Sequence, residues 1–180
     1  MSRKLIVIAG LILLAGLSRL IPHPYNFTAI GAMALFGGAV IKPRSLAFLI
    51  PMAAMFLTDL LIGFHANMTA VYLSFALMAI IGMTVVSKRS VGRIITGSLL
   101  SSLLFFLITN LAVWFGNPAY PQDLNGLMMS YAMALPFYES SIFGNLALNS
   151  IMGNLFYSGI LFTAYAWLES KLPEPICQRA

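Results

Sequence analysis

Apolar residues in this chain arrive in long blocks separated by brief polar interruptions, and the blocks predict helices of membrane length. Six spans are expected: Leu5–Ile21, Phe27–Ile41, Ser45–Phe64, Met68–Ser87, Val91–Phe115 and Ser140–Leu168. A hydrocarbon core leaves backbone N–H and C=O groups no water to bond, so such blocks read as helices. The turns "KPR" and "SKRSVGR" are short, whereas "GNPAYPQDLNGLMMSYAMALPFYES" before the last span is long. Within that insertion Pro118, Pro121 and Pro136 bracket Leu127–Leu135, a stretch too short to cross a bilayer. It predicts a short interfacial or re-entrant helix between helices five and six. The second span is short and the sixth long, a mismatch that tilt absorbs. The expected fold is an all-α six-transmembrane-helix bundle, one integral membrane domain over residues 1–180, with no evident internal repeat. The opening "MSRKLIVIAGLILLAGL" has the outline of a signal peptide, but "SRLIPHPY" follows in place of a small-x-small cleavage site. It is therefore read as the first helix.

Composition narrows the class. Of 180 residues, 60% are hydrophobic and 8% charged, and the mean hydropathy is +0.91. Soluble domains carry roughly a quarter charged residues. The one cysteine, Cys177, excludes an internal disulfide. The net charge of +5 is informative through its placement. Arg3, Lys4, Lys42, Arg44, Lys88, Arg89, Arg93, Lys171 and Arg179 all fall on one side of the predicted spans. The positive-inside rule makes that side cytoplasmic and places both termini there. A nucleic-acid partner would need these cations on one folded surface; here they are scattered boundary anchors. The sequons at Asn26 and Asn67 hug the membrane boundary and read as chance.

Arg19, the remaining basic residue, lies near the outer end of span one, and Asp59 lies five residues before the end of span three. Five residues of helix span roughly 7–8 Å, a depth at which a carboxylate needs a partner. An ion pair between Arg19 and Asp59 is one expectation; a ligand contact at the floor of an outward cavity is the other, and both can hold. Polar residues recur every four positions as Ser141, Asn145, Asn149 and Gly153, and along Ser98, Ser102, Asn110 and Trp114. Such rows share one helical face and turn inward, because an unpaired amide in lipid is costly. Interhelical bonding explains them plainly. Yet Asn110, Trp114, Asn145, Tyr72, Asp59, Arg19 and Glu139 all gather in the outer half.

His23 and His65 sit in outer turns as well. Two histidines do not make a closed metal site, and neither an HExxH motif nor clustered cysteines occur. No cofactor is expected. Ser158 in "YSGI" lies near the cytoplasmic end, away from both histidines, so no Ser–His pair can form. No phosphate loop or nucleotide-binding segment is present, which excludes a self-contained pump. The reading is a non-enzymatic binding protein of the membrane.

The segments "RLIPHPYNFTAIGAMALFGGA" and "TDLLIGFHANMTAVYLSF" resemble a bacterial family of small membrane proteins with no assigned function. That family in turn looks like the substrate-binding S components of energy-coupling factor (ECF) vitamin transporters. The resemblance implies a six-helix protein of the bacterial inner membrane that captures a vitamin-like small molecule near the outer face. Its partners would be that substrate, the lipid bilayer, a transmembrane scaffold subunit and two cytoplasmic ATPases. Solitary importers of similar kind, including ones for cobalamin, give a second version in which His65 approaches the cobalt. The expected ligand-binding residues are His23, Asn26, Asp59, His65, Asn67, Tyr72, Asn110, Trp114, Glu139 and Asn145. The alternative is a structural or assembly protein whose intramembrane polar residues only join helices.

Overall fold

Every regular element among the described residues is helical. The computed structural model describes residues 3–64, 67–135 and 146–172. Its α-helices are α1 (Arg3–Leu17), α2 (Ile30–Val40), α3 (Arg44–Ile62), α4 (Met68–Thr84), α5 (Val91–Gly116), α6 (Leu124–Met133) and α7 (Leu146–Lys171), with a 3₁₀ turn over Ser18–Leu20. Among the described residues, three helices are long and apolar enough to cross a membrane: Arg44–Ile62, Val91–Gly116 and Ala147–Lys171.

The other predicted spans are shorter than the apolar blocks that announced them. At 1.5 Å per residue, α2 with 11 residues covers about 16 Å of a core about 30 Å thick. Phe27 and Thr28 leave the helix because the chain turns there: Phe27 N–H donates to Pro24 O at 3.0 Å. The first helix stops at Leu17, where Ser18 Oγ bonds Ala15 O at 2.6 Å and the 3₁₀ turn begins. The fourth ends at Thr84 rather than Ser87. The first six residues assigned to the last span lie outside the described residues.

Short as it is, α2 is the centre of the bundle. Residues Gly31 through Gly38 are all buried, and α2 touches α1, α3, α4, α5 and α7. Its glycines explain how so many helices come so near. A β-carbon on Gly38 would run into the Ala79 carbonyl of α4, and one on Gly82 of α4 into Leu35 O of α2. One on Gly37 would meet the ring of Pro51 in α3. Small residues let backbones approach where lipid supplies no hydrophobic drive between helices. Around this seam Phe36, Phe162 and Tyr165 pack edge to face, with ring centroids 5.2 and 5.6 Å apart.

The insertion forms α6, starting three residues earlier than its proline-bracketed apolar stretch. Asp123 caps it, its Oδ1 accepting from Gly126 N–H at 2.8 Å, the bond a helix start needs. Among the described residues α6 packs on α5 alone, through Tyr131 Oη to Leu107 O at 3.0 Å and a Phe106–Tyr131 ring contact.

Candidate functional site

A polar cavity lies between the second half of α5, the first turns of α4 and α7, and the turn before α2. It is a cavity of about 280 Å³ lined by Asn26, Asn67, Val71, Phe105, Phe106, Thr109, Asn110, Val113, Ala134, Ala147 and Ser150. A smaller space of about 60 Å³ continues it towards Gly31, Met78 and Asn154, sharing Asn26, Phe105 and Ser150.

Each polar lining residue is placed by a local cause. Asn26 adopts φ 62, a left-handed conformation that asparagine tolerates, and so closes the turn that follows "PHP". That turn is held across α7, where Asn149 Nδ2 donates to Tyr25 O at 2.9 Å. Directly below, Gly153 leaves room for it, since a β-carbon there would lie 3.0 Å from Thr28 N. The four-residue spacing of Asn149 and Gly153 thus serves to seat the turn. On α5, Asn110 Nδ2 donates to Phe106 O and Thr109 Oγ1 to Phe105 O, at 2.8 and 2.7 Å. Each bond uses one side-chain hydrogen, so Asn110 keeps its second amide N–H and its acceptor Oδ1 to offer. No charged side chain lines the cavity among the described residues.

Arg19, Asp59 and Tyr72 form a separate cluster. Arg19 Nη1 lies 2.8 Å from Asp59 Oδ1, and the two side chains are 9% and 1% exposed. The same nitrogen directs its N–H at Thr58 Oγ1, 2.7 Å away, so Oδ1 has an ionic contact but no directed hydrogen bond. Tyr72 Oη donates to the other oxygen, Oδ2, at 2.8 Å. The cluster ties the 3₁₀ turn, α3 and α4 together, and none of its residues lines the cavity.

Of the ten residues expected to bind a ligand, the structure brings Asn26, Asn67 and Asn110 together around one space. Asp59 is drawn off by Arg19, and Tyr72 by Asp59. Trp114 turns to the α5–α6 connection, donating from Nε1 to Pro121 O at 2.7 Å, while Gln122 Nε2 reaches Trp114 O at 2.9 Å. His23 is exposed and bonds its own backbone, Nδ1 to Ile21 O at 2.7 Å. His65, Glu139 and Asn145 lie outside the described residues. Phe105, Thr109 and Ser150 line the cavity without having been singled out. Thr109 beside Asn110 on an apolar helix was the signal available for them.

Further along the α5–α7 seam, polar groups satisfy one another. Ser98 Oγ bonds Ser158 Oγ at 3.0 Å, Asn154 Nδ2 bonds Ser102 Oγ at 2.7 Å, and Ser102 Oγ reaches Ser150 O at 3.3 Å.

Fold and site together define an all-helical membrane protein with a polar cavity near one end, uncharged among the described residues. The chain belongs to a family of unknown function, DUF6580, whose model matches residues 1–175. Neither a curated protein nor a solved structure matches it.

Proposed function

We propose that the protein is a multi-pass inner-membrane protein that captures a vitamin-like small molecule, as a substrate-binding subunit or a solitary importer. In this reading six segments make the membrane bundle, both termini are cytoplasmic, and the cavity opens from the outer half. The observation that carries it is the cavity itself: about 280 Å³, just under the usual range of ligand sites, ~300–1,000 Å³. Aromatic walls with a few converging polar groups are what a small-molecule site requires. Phe105 and Phe106 supply the walls, and the amides of Asn26, Asn67 and Asn110 supply donors and acceptors. A lining that is uncharged among the described residues favours a neutral, hydrogen-bonding molecule of one or two rings. A corrin is larger than this space, so the smaller vitamins are favoured over cobalamin.

Native mass spectrometry of protein extracted gently from its own host tests this, because a captured molecule travels with the protein. One bound small molecule is expected, lost in Asn110→Leu and Phe106→Ala and retained in Trp114→Ala. Retention in the first two variants would remove this cavity as the capture site. The structural-protein reading draws on the satisfied Ser98–Ser158 and Asn154–Ser102 bonds, which join α5 to α7. It predicts an empty protein that instead copurifies with a membrane partner.

A further inference from the structure

At the opposite end of the bundle, the last turn of α7 meets the start of α1 and the α4–α5 turn around a single acid. Glu169 sits 2.8 Å from Arg89 and 3.6 Å from Lys4, and accepts from Tyr165 Oη at 3.0 Å. Arg89 also lies over the Tyr165 ring at 5.7 Å. One carboxylate therefore serves two cations. Lys88 stands beside them with no ion-pair or hydrogen-bond partner among the described residues. Arg93 has only Val85 O, at 3.4 Å. Among the described residues, positive charge at this corner exceeds the one carboxylate that meets it.

The same corner is hollow. A space of about 490 Å³ runs from Lys88 and Arg89 down a groove between α5 and α7 walled by Val91, Ile94, Phe162 and Ala166. Val91 is 75% exposed, an apolar side chain at the end of a helix that is long and apolar enough to cross a membrane. A basic mouth continuous with an apolar groove matches one kind of molecule: a phosphate diester carrying an acyl chain. Basic pockets between transmembrane helices recognise anionic lipid headgroups in this way.

We propose that the α4–α5–α7 corner is a binding site for an anionic phospholipid. Lys88 contacts the phosphate at the mouth, Arg93 adds positive charge from just outside the lining, and an acyl chain lies along Ile94, Phe162 and Ala166. The Arg89–Glu169 pair forms the inner wall of the mouth, and its carboxylate is already engaged by Arg89, Lys4 and Tyr165. The site is independent of the cavity at the other end of the bundle.

The test uses the full chain in detergent micelles, titrated with phosphatidylglycerol or phosphatidylcholine of identical acyl chains and read by native mass spectrometry. One phosphatidylglycerol is retained in preference to phosphatidylcholine. Neutralising both cations, Lys88→Gln with Arg93→Gln, weakens it by about 30-fold, from the usual contribution of a basic residue near a lipid surface. Lys42→Gln with Arg44→Gln removes the same charge from another turn and changes retention by less than about twofold. Ala166→Trp fills the groove without altering charge and also abolishes retention. Equal loss from the two charge-neutralised pairs would reduce the corner to general electrostatics and overturn the site. Unchanged retention in Ala166→Trp, or displacement by excess inorganic phosphate, would likewise refute an acyl-bearing ligand.

Discussion

Replacing Asp59 by asparagine removes one charge and almost nothing else. The side chain is 1% exposed, and its partner Arg19 9%, so neither group is screened by water. Asparagine still presents an oxygen to Tyr72 Oη, now 2.8 Å from Asp59 Oδ2, so the hydrogen bond survives. The guanidinium keeps Thr58 Oγ1 at 2.7 Å but loses its one carboxylate partner among the described residues. Breaking one side of a buried ion pair typically costs about 3–5 kcal/mol, because the remaining charge stays desolvated without compensation. About 3 kcal/mol is expected here, and a similar loss for Arg19→Gln. The double variant holds two neutral amides, so it should recover about 2 kcal/mol of the summed losses. Reversible unfolding in mixed micelles with increasing dodecyl sulfate, followed by tryptophan fluorescence and circular dichroism, measures all four proteins. Additive losses, or single losses below about 1 kcal/mol, would show that the 2.8 Å contact does not stabilise the bundle.

Tyr72→Phe deletes only the hydroxyl on Asp59 Oδ2 and should cost about 1.5 kcal/mol in the same assay, the lower end for a bond to a charged acceptor. Gly38→Ala and Gly82→Ala each force a methyl group against the facing backbone of α2 or α4, with an expected loss of about 1–3 kcal/mol. Gly92→Ala meets open space and should be neutral or stabilising by up to about 1 kcal/mol, since alanine favours the helix; equal effects at all three glycines would contradict the close approach of α2 and α4. Asp123→Ala removes the bond to Gly126 N–H and should lower stability by about 1 kcal/mol, with faster proteolysis confined to residues 117–135. Cysteines placed at Pro43 and Lys88 should resist a membrane-impermeant thiol reagent in intact cells while ones at Tyr25 and Gln122 react; the reverse labelling would invert the proposed orientation.

Much of the helical layout can be read from the chain alone, because helix formation in an apolar setting is a local matter. A run without charges must satisfy its own backbone bonds, and proline, glycine and polar clusters interrupt it wherever they occur. The block from Val91 to Phe115 and the helix Val91–Gly116 differ by one residue for that reason. Depth along a helix and sign of charge nominate Arg19 for Asp59, since no other cation shares that level. Hydropathy reports only transfer out of water, however, and that is equally favourable for a helix facing lipid and one enclosed by protein. Nothing in "IGAMALFGGAV" therefore says that α2 is an 11-residue helix buried at the centre of the bundle. That depends on Gly38 meeting Ala79 and Gly82 meeting Leu35, contacts between residues more than 40 positions apart. The cavity has the same origin. Asn26, Asn67 and Asn110 are polar in any arrangement, but only the seating of the Pro24–Phe27 turn on Asn149 and Gly153 brings them around one space. Trp114 and His23 carried the same polar signal and were consumed locally, by Pro121 O and Ile21 O. Residue type determined which groups needed partners, and tertiary packing alone decided which of them found one in the protein and which were left lining a cavity.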